Sequence, residues 1–566
     1  MRKRLFFSIP VLFLMLLTSC NKEMGALDPS LFRVNPNPLV AKGGKVEAVV
    51  TGQFPEKYFN KNAVVKVTPV LRFADSEISS KSEVFQGEKV IGNDKQVMYK
   101  AGGNYSIKAA FDYFPAMNKS ELFLDIEVTQ KGKTYQLPSV KVADGVLATS
   151  ELISTEPTEV GAALIPDKFQ RIIKETQEAD IMFLIQQSTL RSSETSSSDV
   201  VALTQKIKEA KDAENLQVAG LEVSAYASPD GGYKLNENLS KSRQDVTVNY
   251  LNREIKKLKT SVNIDSKFTA QDWEGFQKLM ENSNIQDKQV ILRVLSMYDD
   301  PEQREREIKN LSVAYKNIAD EILPKLRRSR LQLIVDIIGK TDEEITRIAK
   351  ANPSELTVDE LLYAATLTTN VNEKIGIYKK AVELFPKDVR GYNNLGLIYY
   401  NNNMPDAKNY FEQALKLVPN SPDVNYNLGL LSMAAGEVDK ATEYFGKAAG
   451  TTGSFGQALG TLYVKKGDYE KAKSSFSNAS SNNAALTQIL SEDYNAARRT
   501  LSGISAPDAT TAYLTAIVAA RTNDRDAVYT NLRTAVQRDS SYASRAATDL
   551  EFAKYFADSV FKSIVQ

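Results

Sequence analysis

The chain has no histidine and a single cysteine, Cys20, in 566 residues. That removes Ser-His-Asp and Cys-His nucleophiles, histidine general bases and zinc sites built on His and Cys ligands. Charge of one sign is not in excess either. There are 71 basic and 70 acidic side chains, and loss of Arg2, Lys3 and Arg4 with a leader turns the net +1 into −2. No global basic field exists to attract nucleic acid or anionic lipid. Neither an Asp-rich calcium loop nor a glycine-rich phosphate loop occurs. A carboxylate-pair hydrolase is the one catalytic route left, and no motif supports it. The expectation is a non-enzymatic protein with no cofactor and no metal. What is there, 42% apolar and 25% charged residues, is ordinary for folded domains, and the length asks for three or four of them.

Met1-Arg2-Lys3-Arg4 followed by the apolar run Leu5 to Leu17 has the pattern of a secretory leader, too short to span a bilayer comfortably. It ends in Leu17-Thr18-Ser19-Cys20, which resembles a bacterial lipobox. The resemblance implies cleavage after residue 19 and lipidation of Cys20, and Asn21 in place of aspartate favours the outer membrane. Residues 20–32 then read as a tether. The periplasmic face is favoured, with the cell surface as the alternative.

Residues 33–150 carry short alternating runs, such as Lys45–Val50, Val64–Leu71 and Leu122–Val128, between turn residues. They predict an all-β sandwich of immunoglobulin-like form. Ser150 to Thr158 marks its boundary.

Residues 160–340 alternate strand and helix: a strand at Asp180–Ile185, a helix near 199–212, a strand ending at Tyr226, a long helix, and a late strand at Leu331–Val335. A helical insertion is expected at about 257–329. The long helix bears Asn236-x-x-Leu239-Ser240-x-x-Arg243, and Arg243 has no acidic residue three or four positions away. Strand, helix, strand and this motif resemble the OmpA-like domain that grips peptidoglycan. The resemblance implies that Arg243 binds a peptide-stem carboxylate and that an aspartate fifteen residues earlier binds its ammonium. The position holds Ser228, with Asp230 two residues on. Either Ser228, Asp230 and Asn236 complete the site with Arg243, or Arg243 secures the fold. Arg327, Arg328 and Arg330 gather before the late strand, either as a solvated cluster or to meet phosphate or glycan carboxylates. Trp273 is expected to be a core anchor.

Residues 341–566 are repetitive. Gly396, Gly429 and Gly460 are each followed by alanine and phenylalanine on a second helix: Ala407 and Phe411, Ala441 and Phe445, Ala472 and Phe476. This resembles tetratricopeptide repeats, an all-α solenoid in which small residues let two helices cross closely while phenylalanine fills the gap. Five or six helix pairs and a capping helix over 544–565 are expected. The clusters Asn401–Asn403 and Asn425–Asn427 either clamp a peptide backbone in the groove or serve as turn and surface residues.

The reading is an outer-membrane-anchored scaffold that recruits envelope proteins through its repeat groove, with peptidoglycan as a further contact and no nucleic acid. The alternative is a surface lipoprotein that captures glycan or peptide, with Tyr58, Phe59, Tyr105 and Tyr113 as candidate platforms.

Overall fold

A computed structural model describes residues 24–286, 288–310 and 312–566, and they divide into two compact units. One unit joins the N-terminal part, to Pro166, with Asn370–Gln566; the other is Asp167–Thr369. The leader and Cys20 lie outside the described residues.

The first unit opens with β-structure in two sheets. Phe32–Asn35, Leu39–Lys42, Lys45–Phe54, Gly103–Asp112 and Val146–Leu147 form one sheet. The other holds Ala63–Phe73, Ser76–Ser79, Glu83–Gly87, Lys95–Val97, Ser120–Gln130 and Lys133–Asp144. Most pairs are antiparallel, as in Lys45–Phe54 against Gly103–Asp112 and Ala63–Phe73 against Ser120–Gln130. Alternate residues such as Val46, Ala48 and Val50 turn into one core shared with Leu122, Leu124, Ile126 and Val128. That core extends beyond the expected boundary. Met24 and Leu27 are buried in it, the Met24 N–H donates to the Tyr135 hydroxyl at 2.9 Å, and Tyr58 donates to the Gly25 carbonyl. The tether expected over 20–32 is therefore docked from Met24 onward, because its apolar side chains have a core to enter.

The helical part of this unit begins with Val371–Leu384 and continues as five pairs. Their first helices are Val389–Asn401, Pro422–Ala434, Phe455–Lys465, Asn482–Leu490 and Ala509–Arg521. Asp468, Asp493 and Asp524 cap the second helices of the last three pairs, each accepting a backbone N–H three residues on. The glycine contacts explain the repeat spacing. A Cβ on Gly396, Gly429 or Gly460 would stand 2.7, 2.5 and 2.5 Å from the rings of Phe411, Phe445 and Phe476. Ala407, Ala441 and Ala472 are buried beside them. Gly429→Ala is expected to lose about 1–3 kcal/mol from overpacking, partly recovered by Phe445→Leu, in a double-mutant cycle of denaturant melts. The expected cap at 544–565 is three pieces, Ser541–Ala546, Leu550–Tyr555 and Ser559–Val565, because Asp549 and Asp558 each cap a new start.

The second unit is a four-stranded sheet in the order Ile172–Met182, Arg328–Ile338, Leu216–Tyr226, Ile264–Thr269. Helices Ser198–Asp212 and Tyr233–Lys257 pack on it around Ile181, Val223, Leu251 and Leu333. Three expectations need correction. Ile264–Thr269, inside the stretch read as a helical insertion, is an edge strand parallel to Leu221–Tyr226; its Lys267, Phe268 and Thr269 are exposed, so burial left little pattern. The first strand starts at Ile172, not Asp180, since its early residues pair with Arg328–Ile338 while staying exposed. The helices Asp342–Ala351 and Val358–Ala364, assigned to the repeats, belong here: Phe169 stacks on Tyr363 at 4.3 Å and Lys340 pairs with Glu360 at 2.8 Å. The remaining insertion, Trp273–Leu326, is helical and has its own small core around Phe276, Met280, Ile291 and Leu326.

Candidate functional site

The first helices of the repeat pairs carry buried polar side chains where a solenoid interior would ordinarily be apolar: Asn393, Asn394, Asn427, Thr461 and Asn483. Their partner is the chain itself. Residues 154–165 leave the β-structure and run through the groove as a strap.

Three asparagines hold one strap residue each by both backbone groups. The Ala163 N–H donates to Asn427 Oδ1 at 2.6 Å, and Asn427 Nδ2 donates to the Ala163 carbonyl at 2.9 Å. Asn394 does the same for Ile165, at 3.0 and 2.9 Å. Asn483 does so for Ser154, at 2.9 and 2.7 Å. A carboxamide offers one acceptor and two donors, so it satisfies a residue as a neighbouring β-strand would. Asn393 Nδ2 adds a second bond to the Ala163 carbonyl at 3.0 Å, and Asn427 Nδ2 donates to Asn393 Oδ1 at 2.9 Å. Tyr426 donates to the Gly161 carbonyl at 3.1 Å, and Thr452 to that of Leu164 at 2.8 Å. Tyr400 reaches the Thr155 and Val160 carbonyls at 3.4 Å; burial pushes its phenol up to about 12, so it stays a donor at any ordinary pH.

The strap's apolar side chains complete the array's cores. Ile153 joins that of the last pairs, Val160 and Ala163 that of the first. Each of the larger two contributes about 1.5–3 kcal/mol by burial. As strap numbers rise from 154 to 165, clamp numbers fall from 483 to 394, so the strap runs antiparallel to the repeats. Residues 160–166, assigned above to the α/β domain, are thus part of the first unit, and Ser150–Thr158 is a fastening as well as a boundary.

The other candidate site is closed on itself. Arg243 is fully buried; its Nε, Nη1 and Nη2 donate to the carbonyls of Gln187, Tyr226 and Leu184 at 3.0, 2.8 and 3.2 Å. The guanidinium carbon is 5.1 Å from the Phe183 ring centroid. Burial, helped by Arg327 nearby, lowers its pKa to about 10, which still leaves it charged at neutral pH. The missing helix neighbour noted above is explained: three backbone carbonyls take its place. Ser228 donates to Asp230, and Arg327 binds both, with Nε to Ser228 Oγ at 3.2 Å and Nη2 to Asp230 Oδ2 at 3.1 Å. Asn236 closes the same turn by donating to the Ser228 and Gly231 carbonyls at 3.0 and 2.8 Å. The four residues do come together, but Arg243 and Asp230 spend their charge inside the fold.

Other candidates separate in the same way. Phe59 and Tyr105 lie in the β-core against Phe54, and Tyr58 and Tyr113 pack at its edge, so none of the four forms an open platform. Asn402 and Asn425 bond only to nearby carbonyls of their own repeats, whereas Asn427 is a clamp. Asn393, Asn394 and Asn483 were not singled out. The available signal was Asn-Leu-Gly, at 394–396 and again at 427–429. Arg327 and Arg328 are not solvated, leaving Arg330 as the exposed member of that cluster.

Three tetratricopeptide repeat family models match the chain, over residues 377–408, 399–454 and 457–486. No curated protein matches it. Among solved structures it is similar to the APC/C hetero-tetramer Cut9-Hcn1, with 14% identity and a TM-score of 0.32 over 39% of this chain and 45% of that one, less than half its length. It is also similar to a tetratricopeptide repeat protein from Parabacteroides merdae, with 14% identity and a TM-score of 0.29 over 40% and 91%. PilW, a type IV pilus biogenesis factor, follows with 18% identity and a TM-score of 0.27 over 40% and 98%. With the glycine–phenylalanine crossings in place, the C-terminal region of this chain is built of tetratricopeptide repeats.

Proposed function

We infer that the chain is a non-catalytic scaffold of the cell envelope, held at the outer membrane through lipid on Cys20, with the repeats and β-structure acting as one body toward protein partners. The observation that supports the single-body part of this reading is the strap, which joins the β-structure to the repeats with buried hydrogen bonds and buried apolar side chains. Because the strap fills the groove, partners meet the outward faces of the second helices instead, where Lys408 and Glu443 are exposed. The anchor would be close. Met24, which is docked, is four chain steps from Cys20, at most about 14 Å of extended chain, so the β-structure would stand at the membrane surface. Cell-wall contact through Arg243 is not part of this reading, since Arg243 and Asp230 would each have to abandon a buried partner.

Two measurements test it. Cys20→Ser is expected to move the protein from the membrane to the soluble fraction; unchanged membrane retention would remove the anchor. Photo-crosslinkers at Lys408 and Glu443 are expected to trap envelope proteins in cells. Adducts from groove positions alone would return recognition to a strap-displaced groove.

A further inference from the structure

The α/β unit holds a cleft that the scaffold does not use. Its volume is about 810 Å³, and it lies where the strands ending at Met182, Tyr226 and Thr269 meet the start of the strand at Arg328. The helix Trp273–Glu281 borders it.

Its floor is built. Arg328, 7% exposed, donates through Nη1 to the Lys325 carbonyl at 2.6 Å and through Nη2 to Asp272 Oδ2 at 3.2 Å. Its guanidinium lies 5.0 Å from the Tyr226 ring centroid. Yet among the described residues its Nε–H has no hydrogen-bond partner, and neither has Asp180 Oδ1, buried 3.8 Å away. That distance is too long for a hydrogen bond between them, and a buried polar group left alone is destabilising. A donor and an acceptor so placed match a single hydroxyl, which can accept from one and donate to the other.

The cleft's charge points to the rest of the ligand. Arg330 is half-exposed, and its Nε stands 3.6 Å from Asp180 Oδ1, again without a hydrogen bond. Lys267 and Lys325 line the same cleft, exposed, and form no ion pair or Nζ hydrogen bond among the described residues. Glu274 is occupied by Lys278 at 2.6 Å, and Asp272 by Arg328. Lys267 and Lys325 are thus without a carboxylate among the described residues, while Arg330 and Arg328 share Asp180 in long ion pairs at 3.6 and 3.8 Å, which leaves positive charge in excess. Trp273, half-buried against Phe276, gives the cleft an apolar wall.

We propose that this cleft binds a carboxylated sugar: a hydroxyl bridges Arg328 Nε and Asp180 Oδ1, the carboxylate meets Arg330, Lys267 and Lys325, and the ring's C–H face lies toward Trp273. Hydroxyl, carboxylate and apolar face are the three features the cleft offers, and an acidic sugar carries all of them. A guanidinium suits the carboxylate by its planar donors.

The chain contains its own reporter, because Trp273 is its one tryptophan. Titration of the full chain with glucuronate at low salt should give a saturable change in tryptophan emission. Glucose, acetate and N-acetylglutamate should each need at least tenfold more for the same change. Arg330→Gln should weaken the glucuronate response tenfold or more, and Lys267→Gln should weaken it to a smaller extent. Both positions are exposed, so thermal melts should match the parent chain, which separates lost binding from lost folding. An equal response to glucose would overturn the role of the cations, and one to acetate or N-acetylglutamate that of the sugar. A response unchanged in Arg330→Gln, or no saturable response, would overturn the site.

Discussion

Asn427→Ala is expected to loosen the strap and to cost about 4 kcal/mol, a large share of a domain's stability. Asn427 is fully buried, and its removal leaves the Ala163 N–H and Asn393 Oδ1 without their partners. Each orphaned buried group costs about 1–3 kcal/mol, and alanine adds a cavity. Denaturant unfolding should show the loss, and limited proteolysis should show new cleavage within residues 154–166. Asn402→Ala is the control: Asn402 is exposed and bonds only to the Ile398 carbonyl at 2.8 Å, so its loss should stay below about 1 kcal/mol. If the two variants behave alike, the strap is not held as described. The asparagine clamps do not titrate, but burial holds the strap's Glu159 carboxyl above the usual carboxylate range, so the fastening should weaken as pH rises through that range and Glu159 ionises.

Arg243→Met should be at least as costly to its own unit, about 4 kcal/mol or more. The Gln187 and Tyr226 carbonyls lose the donor that the buried Arg243 supplies, while that of Leu184 still accepts from the Gln187 N–H at 3.1 Å. Arg243→Lys should recover only part, since one ammonium cannot reproduce a planar fork that spans three acceptors. Hydrogen exchange across residues 167–369 measures it directly. The result also separates the two readings of this residue. If Arg243 bound a ligand, its replacement would leave exchange unchanged and abolish retention on purified peptidoglycan; as a structural residue, its replacement should speed exchange across the unit.

What could be read from the sequence follows how local each cause is. The crossings at Gly396, Gly429 and Gly460 were legible because the steric demand of Phe411, Phe445 and Phe476 recurs at a fixed interval. The N-x-x-L-S-x-x-R helix and the strand before it were legible from their own apolar periodicities. Arg243's occupation was not, because its acceptors at Leu184, Gln187 and Tyr226 are main-chain carbonyls that leave no mark on residue type. The strap was hidden differently. Serine, threonine and proline at 154–158 have the composition of a linker, and being gripped by backbone asks nothing more of them. Ile153, Val160 and Ala163 are buried in a core and Ala162 and Ile165 lie at its edge, with no regular spacing to form a period. Ile264–Thr269 escaped notice because an edge strand with an exposed face need not alternate cleanly.

The strap and its clamps are far apart in the order of manufacture. Ala163 precedes Asn427 by 264 residues, and Ser154 precedes Asn483 by 329. At roughly 5–20 residues per second of synthesis, tens of seconds pass between the appearance of one and the other. Throughout that interval Ile153 and Val160 have no groove to enter. The newborn protein is then a different object from the finished one, with a sticky, extended segment that a chaperone can hold and a protease can cut.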